Sequence, residues 1–376
     1  MVNLPLPHLS GAGALEAWVC RATAVVPDGT LPGNTSWAGS AALSDEALAA
    51  LWFGMRLLRS DTLEDNWGFT WDGDAWATPQ GPVHHALLGL AFGSTTVAVY
   101  TACTTHNWPA QIAPDPDGLR REGKDPARYE PPYCQGAPPD EYGESRPNAG
   151  GVLLLSRFLE RFGDELAACH SSPAARLVVD PVTAAEGAWP VGDVSRAVAP
   201  GPLGTALAAC VRLMIQDGQE VDVVLPDDSD LLDAPGDPAS DGVMTPLWVV
   251  AGGHVMSRDL QARLAARASA GERVVVVEAV PDHDENGAPC RLLAQAPVTV
   301  VAAGSPETLH RTLVGTGPAP SVLTRVRSSA SPGRTTRATP GSSSCPTALT
   351  DPPRRGVVPP RASSTWTSRR TGGASS

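Results

Sequence analysis

The sequence is poor in the features that would point to several common classes of protein. Lysine occurs once, at Lys124, against 27 arginines, the residue usage of a GC-rich, bacterial-type coding sequence. The seven cysteines are scattered (Cys20, Cys103, Cys134, Cys169, Cys210, Cys290, Cys345), odd in number and without a C-x-x-C pair. That pattern argues against a disulfide framework and a zinc site and is expected of a reducing cytoplasm. No apolar run approaches the ~20 residues of a membrane span, and Met1 to Gly11 has no basic start and is interrupted by Pro5 and Pro7, so neither a spanning segment nor a signal peptide is expected. Phosphate-binding and calcium signatures are also incomplete. Ala251-Gly252-Gly253 lacks the rest of a G-x-G-x-x-G loop. Asp282, Asp284, Asn286 and Gly287 begin a calcium loop, but Leu293 stands where the bidentate Glu is required. Tight turns are the better reading of both. No cofactor and no metal are expected.

Charge is unevenly distributed. Residues 311–376 hold ten Arg and a single acid, Asp351, a balance of +9, which leaves −21 on residues 1–310. An acidic body argues against nucleic acid as a partner. The last segment is Ser, Thr, Pro, Gly and Arg without apolar periodicity, and from about residue 306 it is expected not to fold. Its abrupt change of composition fits a shifted reading frame or a non-native extension; a basic nucleic-acid arm is the alternative.

Between these limits, 376 residues suffice for two cores. The first part alternates helix and strand. Ala41–Phe53 reads as a helix capped by Ser44, Met55–Leu63 as a strand, Pro82–Phe92 as a helix, and Thr95–Cys103 as a strand. A proline-rich stretch from Pro109 to Pro147 leads to a helix over Ala149–Cys169. Further on, Gly204–Gln216 and Ser257–Ala270 read as helices, and Glu220–Leu225, Thr245–Ala251 and Arg273–Glu278 as strands. Alternation of this kind predicts α/β layers with parallel strands.

Arg56 to Trp76 is the segment richest in chemistry. A short apolar run leads into one carboxylate, Glu64, and then three tryptophans, Trp67, Trp71 and Trp76, among Asp and Gly. A carboxylate can act as nucleophile or acid/base toward a glycosidic bond, and indole faces pack against the C–H face of a sugar ring. The plainer reading is an exposed aromatic loop after a core strand. His84-His85 falls on a helix, where adjacent positions face apart, so a structural histidine is expected there. Cys103 reads as a small packed residue.

These residues in this order resemble the end of the catalytic barrel of family 35 glycoside hydrolases, the retaining β-galactosidase-like enzymes. The resemblance rests on Glu64 with Asn66-Trp67-Gly68, then a helix, then Val97 to Tyr100, Thr104-Thr105-His106-Asn107-Trp108, and Tyr133 near Ala137-Pro138. The family's Gly-Gly pair is replaced by Thr104 and Thr105. The resemblance covers about a third of the chain. It implies the last strands of a (β/α)8 TIM barrel over residues 1–170, followed by a flavodoxin-like α/β domain over 171–305 with a structural or oligomerising role, and a disordered basic tail over 306–376.

It further implies Glu64 as nucleophile, Tyr100 bonding it or the sugar, and Trp67, Trp71, Asn107, Trp108 and Tyr133 lining the sugar subsite. The partner would be a carbohydrate, with neither nucleic acid nor membrane, and a homo-oligomer is possible by analogy. The family's acid/base lies in an Asn-Glu pair some eighty residues before the nucleophile, which places it ahead of Met1. The chain is thus expected to begin inside the barrel. Glu16 is the only nearby candidate and lacks the preceding Asn. A non-catalytic carbohydrate-binding protein using the same aromatic pocket is the alternative.

Overall fold

The structure is a computed structural model that describes residues 2–7, 9, 13–24, 32–35, 37, 39–70, 73–105, 115–129, 133–169, 173–188, 201–228, 232, 246–302 and 304–316. The fold is α/β with two parallel sheets. The first is built from β1 (Val2–Pro5), α1 (Ala14–Ala22), β2 (Pro32–Thr35), α2 (Asp45–Leu58), β3 (Thr62–Asn66), α3 (Gln80–Ala91) and β4 (Val99–Tyr100). Its strands lie in the order β1-β2-β3-β4, all parallel. Sequential parallel strands with intervening helices are the repeating unit of a (β/α) barrel wall.

Local sequence explains these elements and two departures from expectation. Ser44 caps α2 by accepting from the Ala47 N–H, with Asp45 and Glu46 in the first turn, where they complement the helix dipole. The helix does not stop at Phe53. Met55 to Leu58 continue its apolar periodicity, and it ends only where Arg59 takes a left-handed conformation (φ 45°). The expected strand Met55–Leu63 is therefore half helix, and β3 begins at Thr62. Likewise Thr95–Cys103 yields only the two residues of β4. The proline-rich stretch contains α4 (Pro116–Arg121), and α5 (Pro147–Ala167) follows it.

The second sheet comprises β5 (Ala175–Val178), β6 (Val221–Val224), β7 (Leu247–Ala251), β8 (Val274–Val277) and β9 (Thr299–Val301), in the order β6-β5-β7-β8-β9. Its helices are α6 (Pro181–Ala188), α7 (Pro202–Asp217), α8 (Arg258–Ser269) and α9 (Pro306–Thr316). Counted within the sheet the order is 2-1-3-4-5, the flavodoxin-like arrangement. Both faces are covered. One cluster joins Leu177, Val249 and Val275 to α7 and α9, and another joins Trp248, Val250 and Val276 to Leu260 and Leu264 of α8.

The first of these clusters also takes in Leu15, Trp18, Trp52, Phe53 and Leu57 from α1 and α2, so one core runs between the two sheets. Each such aromatic or leucine contributes about 1.5–3 kcal/mol by leaving water. Polar contacts fix the seam: the Trp52 indole donates to the Val221 carbonyl at 3.2 Å, and Arg59 grips Asp228 with both terminal nitrogens at 2.6 Å. The expectation that residues from 306 onward do not fold fails for the first 11, which form α9. Leu309 and Leu313 of that helix are buried, and His310 bonds Asp217 at 2.6 Å. The rest of the segment lies outside the described residues. The loop that imitates a calcium site is a turn: Asp284 accepts from the Asn286 and Ala288 N–H groups, and Gly287 adopts φ 75°.

Candidate functional site

The ends of three strands converge at the C-terminal edge of the first sheet. Trp37 follows β2 by two residues, Phe69 follows β3 by three, and Tyr100 is the last residue of β4. Tyr133 joins them through an antiparallel bridge to Thr105, with backbone hydrogen bonds of 3.1 and 2.8 Å. The four rings form one cluster. Phe69 packs against Trp37 (centroids 5.2 Å apart), Tyr100 (5.8 Å, stacked) and Tyr133 (4.6 Å, edge-on), and Trp37 meets Tyr100 edge-on at 5.9 Å. Phe69 is fully buried and forms the floor, while the other three rings are half-buried walls.

Glu64, the third residue of β3, places its carboxylate in this cluster. The Trp37 indole N–H donates to its Oε2 at 3.1 Å. An indole donor fixes the plane of a carboxylate without neutralising it. The Tyr133 phenol is pushed well above its ordinary value by burial, then by its hydrogen bond with Tyr100 and the negative charges around it, Glu64 among them. It therefore remains an O–H donor at any physiological pH. A half-buried carboxylate held by an indole beside aromatic rings can attack an electrophilic carbon or hold a sugar hydroxyl.

The loop after β3 is built to hold Phe69 in place. Asn66 Oδ1 accepts from the Gly68 and Phe69 N–H groups at 3.0 and 2.8 Å, and its Nδ2 donates to the Phe69 carbonyl at 3.0 Å. Gly68 (φ 158°) lies against the Gly136 backbone. A Cβ there would approach Gly136 and Ala137 atoms to 2.3 Å, so only glycine allows the contact that brings the Tyr133 segment alongside.

Three of the residues expected from the sequence come together here: Glu64, Tyr100 and Tyr133. Trp67 does not. Its side chain is 0 % exposed, packed against Val83, Ala86 and Leu155, and the expectation that it lines a sugar subsite fails on burial. Trp76 is likewise core, edge-on to His85 at 5.2 Å. Trp71, Asn107 and Trp108 lie outside the described residues. Trp37 and Phe69 were not anticipated. A tryptophan shortly after the polar strand Pro-Gly-Asn-Thr would have been the signal for the first, had that tetrapeptide been readable as a strand. Glu16, the other carboxylate considered, sits on α1 and lines a crevice of the second sheet. Among the described residues no group of three or more His, Cys, Asp or Glu side chains could hold a metal ion, and no helix is long and apolar enough to cross a membrane.

Comparison with known proteins adds the following. Residues 238–313, from just before β7 to α9, match the family model described as GLMA-like, second domain. No curated protein matches. Among solved structures, the chain is similar to a catalytic mutant of Gan42B, a GH42 β-galactosidase of G. stearothermophilus. The two are 11 % identical over 69 % of this chain and 34 % of that one, with a TM-score of 0.45. A β-galactosidase of Bacillus circulans sp. alkalophilus is 12 % identical over 76 % and 36 %, with a TM-score of 0.47. An apo exo-carrageenase GH42 of Bacteroides ovatus is 9 % identical over 71 % and 31 %, with a TM-score of 0.42. The chain spans about a third of the length of these structures. All three are glycoside hydrolases, and where their names give a family it is 42, not 35.

Proposed function

We propose that the first sheet carries the nucleophile side of a retaining, β-galactosidase-like glycoside hydrolase site, with Glu64 as nucleophile and a terminal galactosyl residue as substrate. The supporting observation is the half-buried Glu64 carboxylate, bonded by Trp37, whose ring packs with Phe69, Tyr100 and Tyr133 at the C-terminal edge of parallel strands, the edge at which barrel enzymes carry their chemistry. In this reading the carboxylate attacks the anomeric carbon, and the glycosidic C–O bond breaks with its electron pair leaving on the aglycone oxygen. Water later releases the sugar from Glu64. Tyr100 and Tyr133 donate to the carboxylate or to sugar hydroxyls, and Trp37 holds the carboxylate plane. Trp71, Asn107 and Trp108 remain proposed subsite contacts. A complete cycle also requires a second carboxylate roughly 5 Å from the nucleophile to protonate ordinary leaving groups.

The test therefore uses a leaving group that needs no proton. The full chain is incubated with 2,4-dinitrophenyl 2-deoxy-2-fluoro-β-galactoside and analysed by intact and peptide mass spectrometry. The expected result is one fluorogalactosyl adduct on the peptide carrying Glu64, with release of one equivalent of dinitrophenolate, and no adduct in Glu64→Gln. Adduct elsewhere, or on the Gln variant, refutes the assignment. Saturable galactose binding with no adduct would favour a non-catalytic carbohydrate-binding protein.

A further inference from the structure

The second sheet has a crevice of its own. Strand order reverses between β5 and β7, so the segments leaving these two strands depart toward opposite faces and open a gap beyond their carboxyl ends, the place where such sheets bind ligands. Here the gap is a cavity of about 210 Å³, walled by Val179, Ala184 and Leu203 and by the Ala251-Gly252-Gly253 turn. The two glycines keep it open. A Cβ on Gly253 would come within 2.7 Å of the Glu186 carboxylate, and one on Gly252 within 2.1 Å of the Ala279 carbonyl.

Four carboxylates line this cavity, and they are not equivalent. Asp180 is committed to the fold, accepting from the Val182 and Ser257 N–H groups at 3.2 and 3.0 Å and from the Thr183 hydroxyl at 3.2 Å. Glu186 is also committed, to the His254 and Val255 N–H groups at 2.9 and 3.0 Å. Glu16 differs from both. It reaches the cavity from α1, is 7 % exposed, and has no hydrogen-bond or ion-pair partner among the described residues. A Cβ on Gly201, at the start of α7, would come within 2.9 Å of the Glu16 Oε1, and Gly201 supplies no side-chain cap there. Glu278 stands exposed at the mouth in a left-handed conformation (φ 77°). No lysine or arginine is among the described residues lining the cavity, and its one basic side chain, His254, is exposed and turned to Asp282 at 3.9 Å. A buried, unpartnered carboxylate in an apolar-walled cavity is complementary to a cation with a hydrocarbon body.

We propose that this crevice binds a small aliphatic ammonium compound, its nitrogen against Glu16 and its methylenes along Val179, Ala184 and Leu203. A diamine would place its second ammonium at Glu278. The site is separate from Glu64 and does not rest on the galactosidase reading. The competing account is that Glu16 only complements the dipole at the start of α7.

Isothermal titration calorimetry on the full chain separates the two accounts, with putrescine as probe and 1,4-butanediol as its neutral counterpart. Saturable binding of putrescine alone is expected, weakened at least tenfold in Glu16→Gln with the circular dichroism spectrum unchanged. Absence of saturable putrescine binding, equal binding of the diol, or undiminished affinity in Glu16→Gln overturns the proposal. Should Glu16→Gln fail to fold, Glu278→Gln at its exposed position serves instead. A severalfold loss of putrescine affinity supports the site, and unchanged affinity there overturns it.

Discussion

The two sheets use opposite kinds of strand. In the second sheet β8 is four consecutive valines and β7 is Leu-Trp-Val-Val-Ala, all buried, because helices cover both faces. In the first sheet β2 is Pro-Gly-Asn-Thr and β3 Thr-Leu-Glu-Asp-Asn, with Asn34, Thr35, Thr62, Asp65 and Asn66 buried among them. Its apolar contacts are divided into small clusters around Leu6, Trp67 and Phe69, whereas the second sheet shares one large core with α1 and α2. Stability is concentrated where the strands are apolar, and polar groups suited to chemistry where they are not. The first sheet gains much of its support by lending α1 and α2 to the core of the second.

The sharpest way to break this division is to disturb charge inside the stable half. Arg267 and Glu272 form a buried pair in which one guanidinium nitrogen donates to both carboxylate oxygens, at 2.8 and 2.9 Å. The same Glu272 accepts from the Trp248 indole at 2.7 Å, and Arg267 lies over the Trp248 ring at 4.5 Å. Glu272→Ala leaves a guanidinium and an indole N–H without their shared carboxylate inside the protein and should cost about 3–5 kcal/mol, read as a lower urea midpoint. Replacing both members, Arg267→Met with Glu272→Leu, should recover most of that loss. If the single and double variants are equally unstable, the pair matters for its shape rather than its charge.

The same contrast decides what the sequence reveals. Valine runs bounded by turns announce β6, β7 and β8, and the helices α7 and α8 were legible to within about two residues at each end. The strands β1 and β2 escaped notice because Val-Asn-Leu-Pro and Pro-Gly-Asn-Thr are short, carry prolines and lack the β-branched alternation of a half-buried strand. Met55 to Leu58 misled for the reverse reason: Arg-Leu-Leu after an apolar helix reads as a strand unless the Arg59 left-handed stop is foreseen. At the candidate site, Glu64, Tyr100 and Tyr133 were legible as types at plausible spacing. Trp67 was not distinguishable from a sugar platform, since burial of a loop tryptophan depends on how Val83 and Ala86 of α3 and Leu155 of α5 pack over it. Trp37 was invisible because its role depends on the register of β2 against β3.

Acid offers a second probe, now of the polar half. His85 on α3 is fully buried against Trp76, and burial, reinforced by the neighbouring His84, lowers its value to about 4. The unfolded chain binds the proton near 6.5, so between about 6.5 and 4 the unfolded state carries more protons than the native state. Stability should thus be intact above about 6.5 and fall as pH drops through that window, by about 3 kcal/mol in all at roughly 1.4 kcal/mol per unit. In His85→Phe this acid limb should flatten, seen as a melting temperature that varies less between about pH 7 and pH 4. An unchanged limb would assign acid sensitivity to the carboxylates instead.

The smallest of these effects bears most directly on the site. Asn148, at the start of α5 and wholly buried, donates from its one amide nitrogen toward three carbonyls: Trp67 at 3.0 Å, Trp76 at 2.9 Å and Gly136 at 2.7 Å. These belong to the loop after β3, the turn before α3 and the segment that brings in Tyr133, so a single side chain ties the floor and one wall of the Glu64 cluster to a helix. Asn148→Ala should cost about 1–3 kcal/mol through the carbonyls it leaves unbonded. Asn148→Asp tests the donors specifically, since it keeps the shape but presents oxygens to three carbonyls, and it should be at least as damaging. If the site reading is right, either variant slows fluorogalactosyl adduct formation on Glu64 more than its modest loss of stability explains. A rate unchanged at temperatures where the variant remains folded would mean that the ring cluster holds itself in place and that Asn148 serves the core alone.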